Sequence, residues 1–287
     1  MLTVLVTAKD GQLAQCIESI APKHPNLKFI FKSFSQLDIT NFKQVNSVFN
    51  SSEQFDYCIN CAAYTAVDKA ETEIEKAYDV NVLGSKNLAE VCRKHKVTLF
   101  HLSTDFVFDG KTLQPYLEDS ITNPLGVYGD TKLKGENAIS ETLENHFILR
   151  TSWLYSEFGN NFLKTMLRLA RERDEISVVS DQIGSPTYAK DLAEVILKFI
   201  ETKNTSYGLY HYSNEGAISW YDFANEIFKK TDKDIRLNKI KTKDYPTPAE
   251  RPKYSVLNKE KITNIRGVSI PNWKDSLAEA IANLKEE

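Results

Sequence analysis

Two side chains in the segment VYGDTKLKGE could together move a proton. Tyr128 and Lys132 lie four residues apart, and the pattern around them predicts the start of a helix. At that spacing two side chains project from one helix face, one turn apart. A phenol has an ordinary pKa of about 10, and a neighbouring ammonium lowers that pKa by favouring the phenolate. The pair could therefore deliver a proton to a carbonyl oxygen.

A hydroxyl that could act on the same oxygen precedes this segment. Ser103 and Thr104 come at the end of the apolar run VTLFHLS, a pattern typical of a buried strand. Doubly wound folds bind their ligands at the carboxyl ends of parallel strands. Thr104 could therefore hydrogen-bond a substrate carbonyl, and the alternative is that it only caps the turn or helix that follows.

The elements that must position these residues follow an alternating pattern. Short apolar runs alternate with helical segments, and the runs are LTVLV, LKFIF, YCINCAA, VTLFHLS and HFILRTSW. This alternation predicts an α/β fold with a doubly wound, Rossmann-like parallel sheet. We predict a dinucleotide-binding domain at 1–152, with returning segments from about 176–208, and a smaller, discontinuous substrate domain at 153–287. The loop YPTPAERP at 245–252 suits a closed binding loop over a cleft.

Composition excludes several classes of partner. The 287 residues are 41% hydrophobic and 26% charged, which is ordinary for a globular enzyme, and the net charge of -3 lacks the basic footprint of a nucleic-acid protein. The N-terminus enters a strand pattern directly, and no segment approaches the length of a membrane span. We predict a cytoplasmic protein that binds neither nucleic acid nor membrane.

Cys58 and Cys61 have the CxxC spacing of a redox or metal site. They fall within the predicted strand YCINCAA, where an odd offset sends two side chains to opposite faces. No second CxxC or histidine cluster completes a metal site. We therefore predict no metal and interpret both cysteines as small buried residues.

The segment VTAKDGQLAQ lies where a dinucleotide fingerprint would place three glycines, after the first strand and before a helical pattern. The corresponding residues are Ala8, Gly11 and Ala14. Gly11 still allows the backbone to approach a pyrophosphate at the helix start. A positive φ at Ala8 would cost energy through its β-carbon, and we predict a working loop with Ala8 at negative φ.

Nine segments spread along the chain carry a family pattern. They are LDIT at 37–40, CAAYTAVDKAE at 61–71, HLSTDFVFDG at 101–110, VYGDTKLKGE at 127–136, RTSWLY at 150–155, GNNF at 159–162, VSDQIGSPT at 179–187, GLYHYSNEG at 208–216 and YPTPAERP at 245–252. The YxxxK pair specifies only a superfamily, whereas AAYTAVDKAE, STDFVFDG and DQIGSPT in this order are more specific. Over essentially its whole length the chain resembles the extended short-chain dehydrogenase/reductases, and among them the dTDP-4-dehydrorhamnose reductase family.

The resemblance implies a reaction. NADPH would pass a hydride to C4 of a 4-keto-6-deoxy sugar attached to dTDP, while Tyr128 protonates the resulting alkoxide. Lys132 would lower the tyrosine pKa and hold the nicotinamide ribose, and Thr104 would position the keto oxygen. The reducing power belongs to the cofactor, and the protein supplies proton delivery and orientation.

The resemblance also implies the binding residues. Cofactor contacts fall on Gly11, Gln12, Leu13, Asp38, Ile39, Ala62, Ala63, Tyr64 and Lys132. Substrate contacts fall on Thr104, Phe106, Tyr128, Trp153 and Arg251. The Arg251 guanidinium could pair with the nucleotide diphosphate. The alternatives are core packing for Trp153 and a surface ion pair for Arg251.

The sequence specifies the choice of cofactor and the oligomeric state less closely than it specifies the reaction. An acid at the end of the second strand would bind the 2'-hydroxyl of NAD, but this chain has Lys32 and Ser33 there. NADPH is therefore favoured, with NADH as a second option. Some family members form dimers through a metal held by glutamates. Gln15 cannot supply such a carboxylate, so we predict no structural metal and keep a homodimer as an option.

Four other functions are weighed against this reaction. The related dehydratases have an acid directly after Thr-Asp, where this chain has Phe106, and fucose-type epimerase-reductases need a cysteine beyond Cys92, which this chain lacks. The fold also serves the regulatory beta subunit of methionine adenosyltransferase, so a non-catalytic nucleotide-binding role stays open. A reductase of another dTDP-4-keto-6-deoxy sugar stays open as well.

Overall fold

The structure is a computed structural model that describes residues 1–284. The strands are β1 Leu2–Val6, β2 Leu27–Phe31, β3 Tyr57–Asn60, β4 Thr98–Thr104, β5 His146–Thr151, β6 Leu154–Tyr155, β7 Glu175–Val179, β8 Ile183–Gly184, β9 Thr187–Tyr188, β10 Gly208–His211, β11 Ile218–Ser219 and β12 Arg236–Ile240. Six parallel strands form one sheet in the order β2-β1-β3-β4-β5-β10, and three further pairs, β6–β9, β7–β12 and β8–β11, lie outside it. The predicted doubly wound fold is confirmed.

Helices cover both faces of this sheet. They are α1 Gln12–Ile20, α2 Phe42–Phe49, α3 Val67–Ala70, α4 Ile74–Tyr78, α5 Gly84–His95, α6 Val127–Thr142, α7 Phe162–Glu172, α8 Ala189–Glu201, α9 Trp220–Lys230, α10 Glu260–Thr263 and α11 Trp273–Ala282. None of the helices within residues 1–284 is long and apolar enough to cross a membrane.

The two faces of the sheet bury separate apolar clusters. On one face α1 and α8 pack together, because residues such as Leu13 and Ile17 recur at helical spacing and point to the strands. On the other face α2, α5 and α6 pack against residues such as Leu5 and Leu99. Each sheet face is therefore closed to water, as parallel sheets require.

The later part of the chain builds a second apolar cluster and then returns to the sheet. Helices α7, α9 and α11 pack around β7, with Leu163, Phe223 and Leu277 fully buried. α8 covers the six-stranded sheet, and β10 is the edge strand of that sheet beside β5. β7 instead pairs with β12, so the part from 176 to about 188 does not join the main sheet. The domain division itself stays a prediction.

The strand predicted over YCINCAA ends at Asn60, three residues early. The backbone N–H groups of Cys61 and Ala62 donate to the Thr7 hydroxyl, at 3.1 and 3.2 Å, instead of continuing the ladder. All four cysteines are free, and within residues 1–284 no group of three or more His, Cys, Asp or Glu side chains is placed to hold a metal ion.

Candidate active site

The predicted proton-transfer residues meet at the carboxyl edge of the sheet. β4 ends at Thr104, and α6 begins at Val127, so Tyr128 lies in the first helical turn above the strand end. The Thr104 hydroxyl lies close enough to the phenol of Tyr128 to influence its pKa. The Phe106 ring meets the Tyr128 ring edge-on, with centroids 5.6 Å apart. The sequence prediction thus placed the phenol and the hydroxyl correctly beside each other.

The electrostatic state of Tyr128 differs from the expectation. Burial raises its pKa to about 12, the hydrogen bond with Thr104 lowers it, and the nearby Asp105 carboxylate raises it. The expectation that Lys132 lowers the Tyr128 pKa is wrong, since burial, Thr104 and Asp105 are the influences on the phenol and the net direction is upward. At neutral pH the side chain is the phenol, which is the form that donates a proton.

Lys132 is buried against β4, and its amine is held by backbone and imidazole. Its Nζ donates to the Leu102 carbonyl oxygen at 2.5 Å and lies 3.1 Å from His101 Nε2. Burial lowers the pKa of Lys132 to about 8, although the carboxylate of Glu136 opposes that shift. His101 was missed by sequence reasoning, although the segment HLSTD contains it at an inward position of the strand.

Asp105 is a second residue that sequence reasoning missed. Its side chain is buried, and Thr104 Oγ1 donates to its Oδ1 at 3.1 Å. Burial raises its pKa to about 6. The Thr104 hydroxyl also accepts from the N–H of Phe106 at 3.2 Å, so the predicted capping role is present as well. An acid directly after a strand-end threonine is the sequence signal that could have identified it.

The dinucleotide loop forms a closed turn, but the predicted backbone of Ala8 is wrong. Ala8 has φ +50°, in the left-handed region. Two hydrogen bonds hold it there: the N–H of Lys9 donates to the Lys32 carbonyl at 3.0 Å, and the N–H of Gly11 donates to the Ala8 carbonyl at 2.8 Å. The tight turn after β1 therefore outweighs the strain that the alanine β-carbon brings.

The helix start after this turn fits a pyrophosphate. Gly11 is the N-cap of α1 and brings no side chain to the first-turn N–H groups, which are donors that phosphate oxygens accept. The Gln12 Oε1 accepts from Ser156 Oγ and Asn161 Nδ2, at 3.2 and 3.0 Å, which ties this helix start to the segment after β6. Leu13 is buried, so its side chain belongs to the core and only its backbone faces the loop.

Replacing the strained alanine should stabilise the protein. The left-handed region costs an L-residue about 1–2 kcal/mol, and glycine loses about 0.5–1 kcal/mol in unfolded-chain entropy, so Ala8→Gly should raise the free energy of unfolding by roughly 0.5–1 kcal/mol. Lys96, the C-cap of α5 at φ +58°, provides a matched control outside the loop. Urea denaturation of both glycine variants checks the gain, and a loss of stability in Ala8→Gly would contradict it.

The remaining predicted cofactor residues follow β2 and β3. The N–H of Ala62 is held by Thr7 and Asn60, and Tyr64 exchanges two hydrogen bonds with the Asn81 amide, at 2.9 and 3.2 Å. The Asp38 carboxylate accepts from the backbone and hydroxyl of Thr40, and the Ile39 side chain is buried in the core. Ala63 lies half-buried between these positions. These contacts fix the backbone along one edge of the sheet.

A cavity of about 590 Å³ is lined by Phe106, Trp153 and Arg251, and the Phe106 ring that lines it contacts the Tyr128 ring edge-on. Trp153 has φ +48° and stacks on Trp220 with centroids 3.6 Å apart, so it packs against a neighbour while its other side faces the cavity. A β-carbon at Gly184 would come within 2.7 Å of the Trp153 indole. Sequence reasoning missed Trp220, because its position at the start of a helix does not indicate a role in a binding cavity.

Arg251 forms an ion pair, which is the alternative that the sequence analysis left open for this residue. Its two terminal nitrogens donate to both oxygens of Asp68, at 3.0 and 2.7 Å, and Nη1 also donates to the Ala249 carbonyl at 2.9 Å. The hydrogen bond from Arg251 holds the pKa of Asp68 below its usual range. The loop at 245–252 is thereby fastened to α3, and the guanidinium lies at the wall of the cavity.

Comparisons with known proteins agree with this geometry. The family model for the RmlD substrate binding domain matches residues 2–286. A curated relative, the dTDP-4-dehydrorhamnose reductase of Aggregatibacter actinomycetemcomitans, is 42% identical over 287 residues, covering 96% of this chain and 97% of that protein. A solved dTDP-4-dehydrorhamnose reductase from Clostridium acetobutylicum has a TM-score of 0.94 at 43% identity, covering 99% of this chain and 100% of that chain. The Bacillus anthracis dTDP-4-dehydrorhamnose reductase, solved in complex with NADP, has a TM-score of 0.93 at 39% identity, with 98% and 99% covered.

Proposed function

Because the chain belongs to the dTDP-4-dehydrorhamnose reductase family, we propose that it reduces dTDP-4-dehydrorhamnose to dTDP-L-rhamnose with NADPH. The keto group at C4 of this 6-deoxy sugar is the reacting carbonyl. The observation that carries the proposal is the phenol of Tyr128, protonated at neutral pH, next to the Thr104 hydroxyl and in edge-on contact with Phe106, which lines a cavity together with Trp153 and Arg251. This is the donor set that a sugar carbonyl needs.

The residues of the chain then have separate tasks. When bound, NADPH supplies the hydride. Tyr128 donates its proton to the oxygen at C4, and its raised pKa keeps that proton available until the oxygen becomes basic. Thr104 orients the same oxygen, for which its single hydroxyl proton must turn from Asp105 to the sugar. Phe106 and Trp153 wall the cavity, which limits the water that reaches the reacting carbonyl.

NADPH is the cofactor that the residues at the end of β2 favour. Gly11 and the first-turn N–H groups of α1 would hold the pyrophosphate, and Lys132 would reach the nicotinamide ribose. No acid occupies positions 32 and 33, where Lys32 and Ser33 stand, and a lysine there suits a 2'-phosphate. NADH stays a second option, since a lysine at this position does not exclude a ribose hydroxyl.

A purified-protein assay tests this function. Offered dTDP-4-dehydrorhamnose with NADPH or NADH, the protein should oxidise the reduced nicotinamide and form dTDP-L-rhamnose, identified by mass and NMR spectroscopy. Folded protein that binds NADPH without oxidising it would favour the regulatory role of the methionine adenosyltransferase beta subunit type. A talose-type or other 6-deoxy product would assign a different dTDP-4-keto sugar.

Arg251 provides a test of the substrate side. If its guanidinium pairs with the nucleotide diphosphate, Arg251→Ala should raise the KM for the dTDP-sugar by about tenfold or more, since a charge-assisted bidentate contact is worth about 1.5–3 kcal/mol. The KM for NADPH should stay nearly constant. Asp68→Ala removes the internal partner and leaves the cation in place, so it is the matched control. An equal rise in KM for both variants would indicate that the ion pair, and no diphosphate contact, is what matters.

The cellular setting and assembly are proposed from sequence only. The cytoplasmic location predicted from the sequence stays a proposal, and a homodimer is kept as an option because family members form dimers. Light scattering of the purified protein across a concentration series separates monomer from dimer.

A further inference from the structure

The helix that carries Tyr128 has no capping side chain of its own. Gly126 is the N-cap of α6 and brings no side chain to the first-turn N–H groups, and Tyr128 follows as the second helical residue. The first four N–H groups of a helix find no acceptor within it. The N–H of Asp130 is the first that does, since it donates to the Gly126 carbonyl at 3.0 Å. The orientation of this first turn therefore depends on groups from outside the helix.

Glu71 provides an acceptor for this helix start from a distant part of the chain. Its Oε1 accepts from the N–H of Val127 at 2.8 Å. Glu71 is the C-cap of the short helix α3, and it is half-buried. The positive end of the α6 dipole also favours a carboxylate at this place. The residue just before Tyr128 is thus held by a side chain 56 residues earlier in the sequence.

Two glycines let this first turn approach its neighbours closely. A β-carbon at Gly126 would lie 2.6 Å from Glu71 Oε1, so the glycine gives the carboxylate access to the helix start. A β-carbon at Gly129 would overlap the Phe106 carbonyl oxygen, so this part of the turn rests on the backbone that follows β4. Tyr128 therefore lies between two points at which the helix start contacts other segments.

We propose that Glu71 is a positioning residue that fixes the place of Tyr128 relative to Thr104 and the reacting oxygen. This inference deepens the proposed reductase and rests on it for the role of Tyr128. Glu71 acts through the backbone of Val127 and contributes no proton to the reaction. Reduction requires the phenol within hydrogen-bond reach of the oxygen at C4, so a displaced helix start slows proton transfer without weakening the binding of either nucleotide.

A second carboxylate on the same helical turn has a separate partner. Asp68, three residues before Glu71, pairs with Arg251 of the loop at 245–252. Residues three apart lie on one side of a helical turn, so α3 holds that loop with one carboxylate and α6 with the other. Because Asp68 holds the loop independently, a variant of Glu71 should leave the Arg251 ion pair in place and the KM for the dTDP-sugar unchanged.

Steady-state kinetics of two Glu71 variants test the proposal. Glu71→Ala should lower kcat by about 10–100-fold, because a displacement of about 1 Å can cost that much, and leave the KM for both nucleotides nearly unchanged. Glu71→Gln keeps a side-chain oxygen that accepts from the Val127 N–H, so its kcat should stay within about threefold of the wild-type value. Wild-type kcat in Glu71→Ala, or a kcat equally low in both variants, overturns the proposal.

Asn272→Ala is the matched control for a lost helix cap. Asn272 caps α11, a helix of the apolar cluster around β7, where its side chain accepts from the N–H of Lys274 at 3.0 Å. The loss of this cap should lower the urea midpoint, as the loss of Glu71 should, but leave kcat unchanged. An equal fall of kcat in Asn272→Ala and Glu71→Ala would indicate general destabilisation and contradict the role of Glu71.

A double variant separates positioning of the phenol from other effects on the rate. If Glu71 acts through Tyr128, then Glu71→Ala should lower the residual kcat of Tyr128→Phe by less than about twofold, because the group that it positions is already gone. A role that is independent of Tyr128 would lower kcat by the same factor in both backgrounds. That result would refute the proposal.

NMR of the tyrosine rings reports the position of Tyr128 without turnover, in protein without added nucleotide. The Tyr128 resonance is assigned by its loss in Tyr128→Phe, and the edge-on Phe106 ring, with centroids 5.6 Å apart, displaces it from its free value. Glu71→Ala should move the resonance toward that free value, whereas Glu71→Gln and Asn272→Ala should leave it in place. An unmoved resonance in Glu71→Ala overturns the proposal.

The NMR and kinetic results together separate the inference from the proposed function. A wild-type protein without reductase activity, whose Tyr128 resonance moves in Glu71→Ala as expected, would refute the function alone. An active reductase with unchanged resonance and kcat in Glu71→Ala would refute the role of Glu71 alone.

Discussion

Tyr128→Phe should lower kcat for reduction of the dTDP-sugar by about 10²–10⁴-fold, the range that a positioned general acid contributes. The phenylalanine keeps the edge-on contact with Phe106, so the helix start and the affinity for NADPH should be nearly unchanged. The Tyr128 pKa, raised to about 12, places its loss of the proton well above neutral pH. Stopped-flow oxidation of NADPH measures the chemical step, and equilibrium fluorescence measures cofactor binding.

Tyr212→Phe is the matched control for this variant. Tyr212 is fully buried, and its hydroxyl has no hydrogen-bond partner among residues 1–284, so its removal should change neither kcat nor NADPH affinity. Unchanged turnover in Tyr128→Phe, with folded protein that still binds NADPH, would remove Tyr128 from the proposed role.

Arg150→Met should lower the free energy of unfolding by about 3–5 kcal/mol, the cost of leaving one partner of a buried ion pair alone. Arg150 on β5 donates to both oxygens of Glu136 on α6, at 2.9 and 2.7 Å, and both side chains are at most 5% exposed. Ser103 also donates to the same carboxylate. The pair fastens the helix that carries Tyr128 to the sheet, so its loss should also disturb the site.

Two controls locate the origin of this effect. Lys134 and Asp130 form an exposed pair on the same helix, and Asp130→Asn should cost only about 0.3–0.5 kcal/mol. Replacing both buried partners, Arg150→Met with Glu136→Leu, should recover much of the loss, because no unpaired charge stays buried. Urea denaturation measures all three. A loss below about 1 kcal/mol in Arg150→Met would contradict a net role for the pair in stability.

The predicted elements were most accurate where burial alone defines them. The runs LTVLV and LKFIF became β1 and β2 with the same ends. YCINCAA was predicted too long because its exit from the ladder depends on the hydroxyl of Thr7, 54 residues earlier in the sequence. A pattern of apolar residues reports burial, and it does not report which distant donor or acceptor competes for the backbone.

The sequence by itself determined the fold class, the family and the meeting of Tyr128 with Thr104, because these follow from periodicity, spacing and motifs within short segments. Only the tertiary structure decided the positive φ of Ala8, the raised pKa of Tyr128 and the ion pair of Arg251 with Asp68. Each depends on desolvation or on a hydrogen bond from another part of the chain. Such effects arise when separate segments pack together, and the residues of one segment do not specify them.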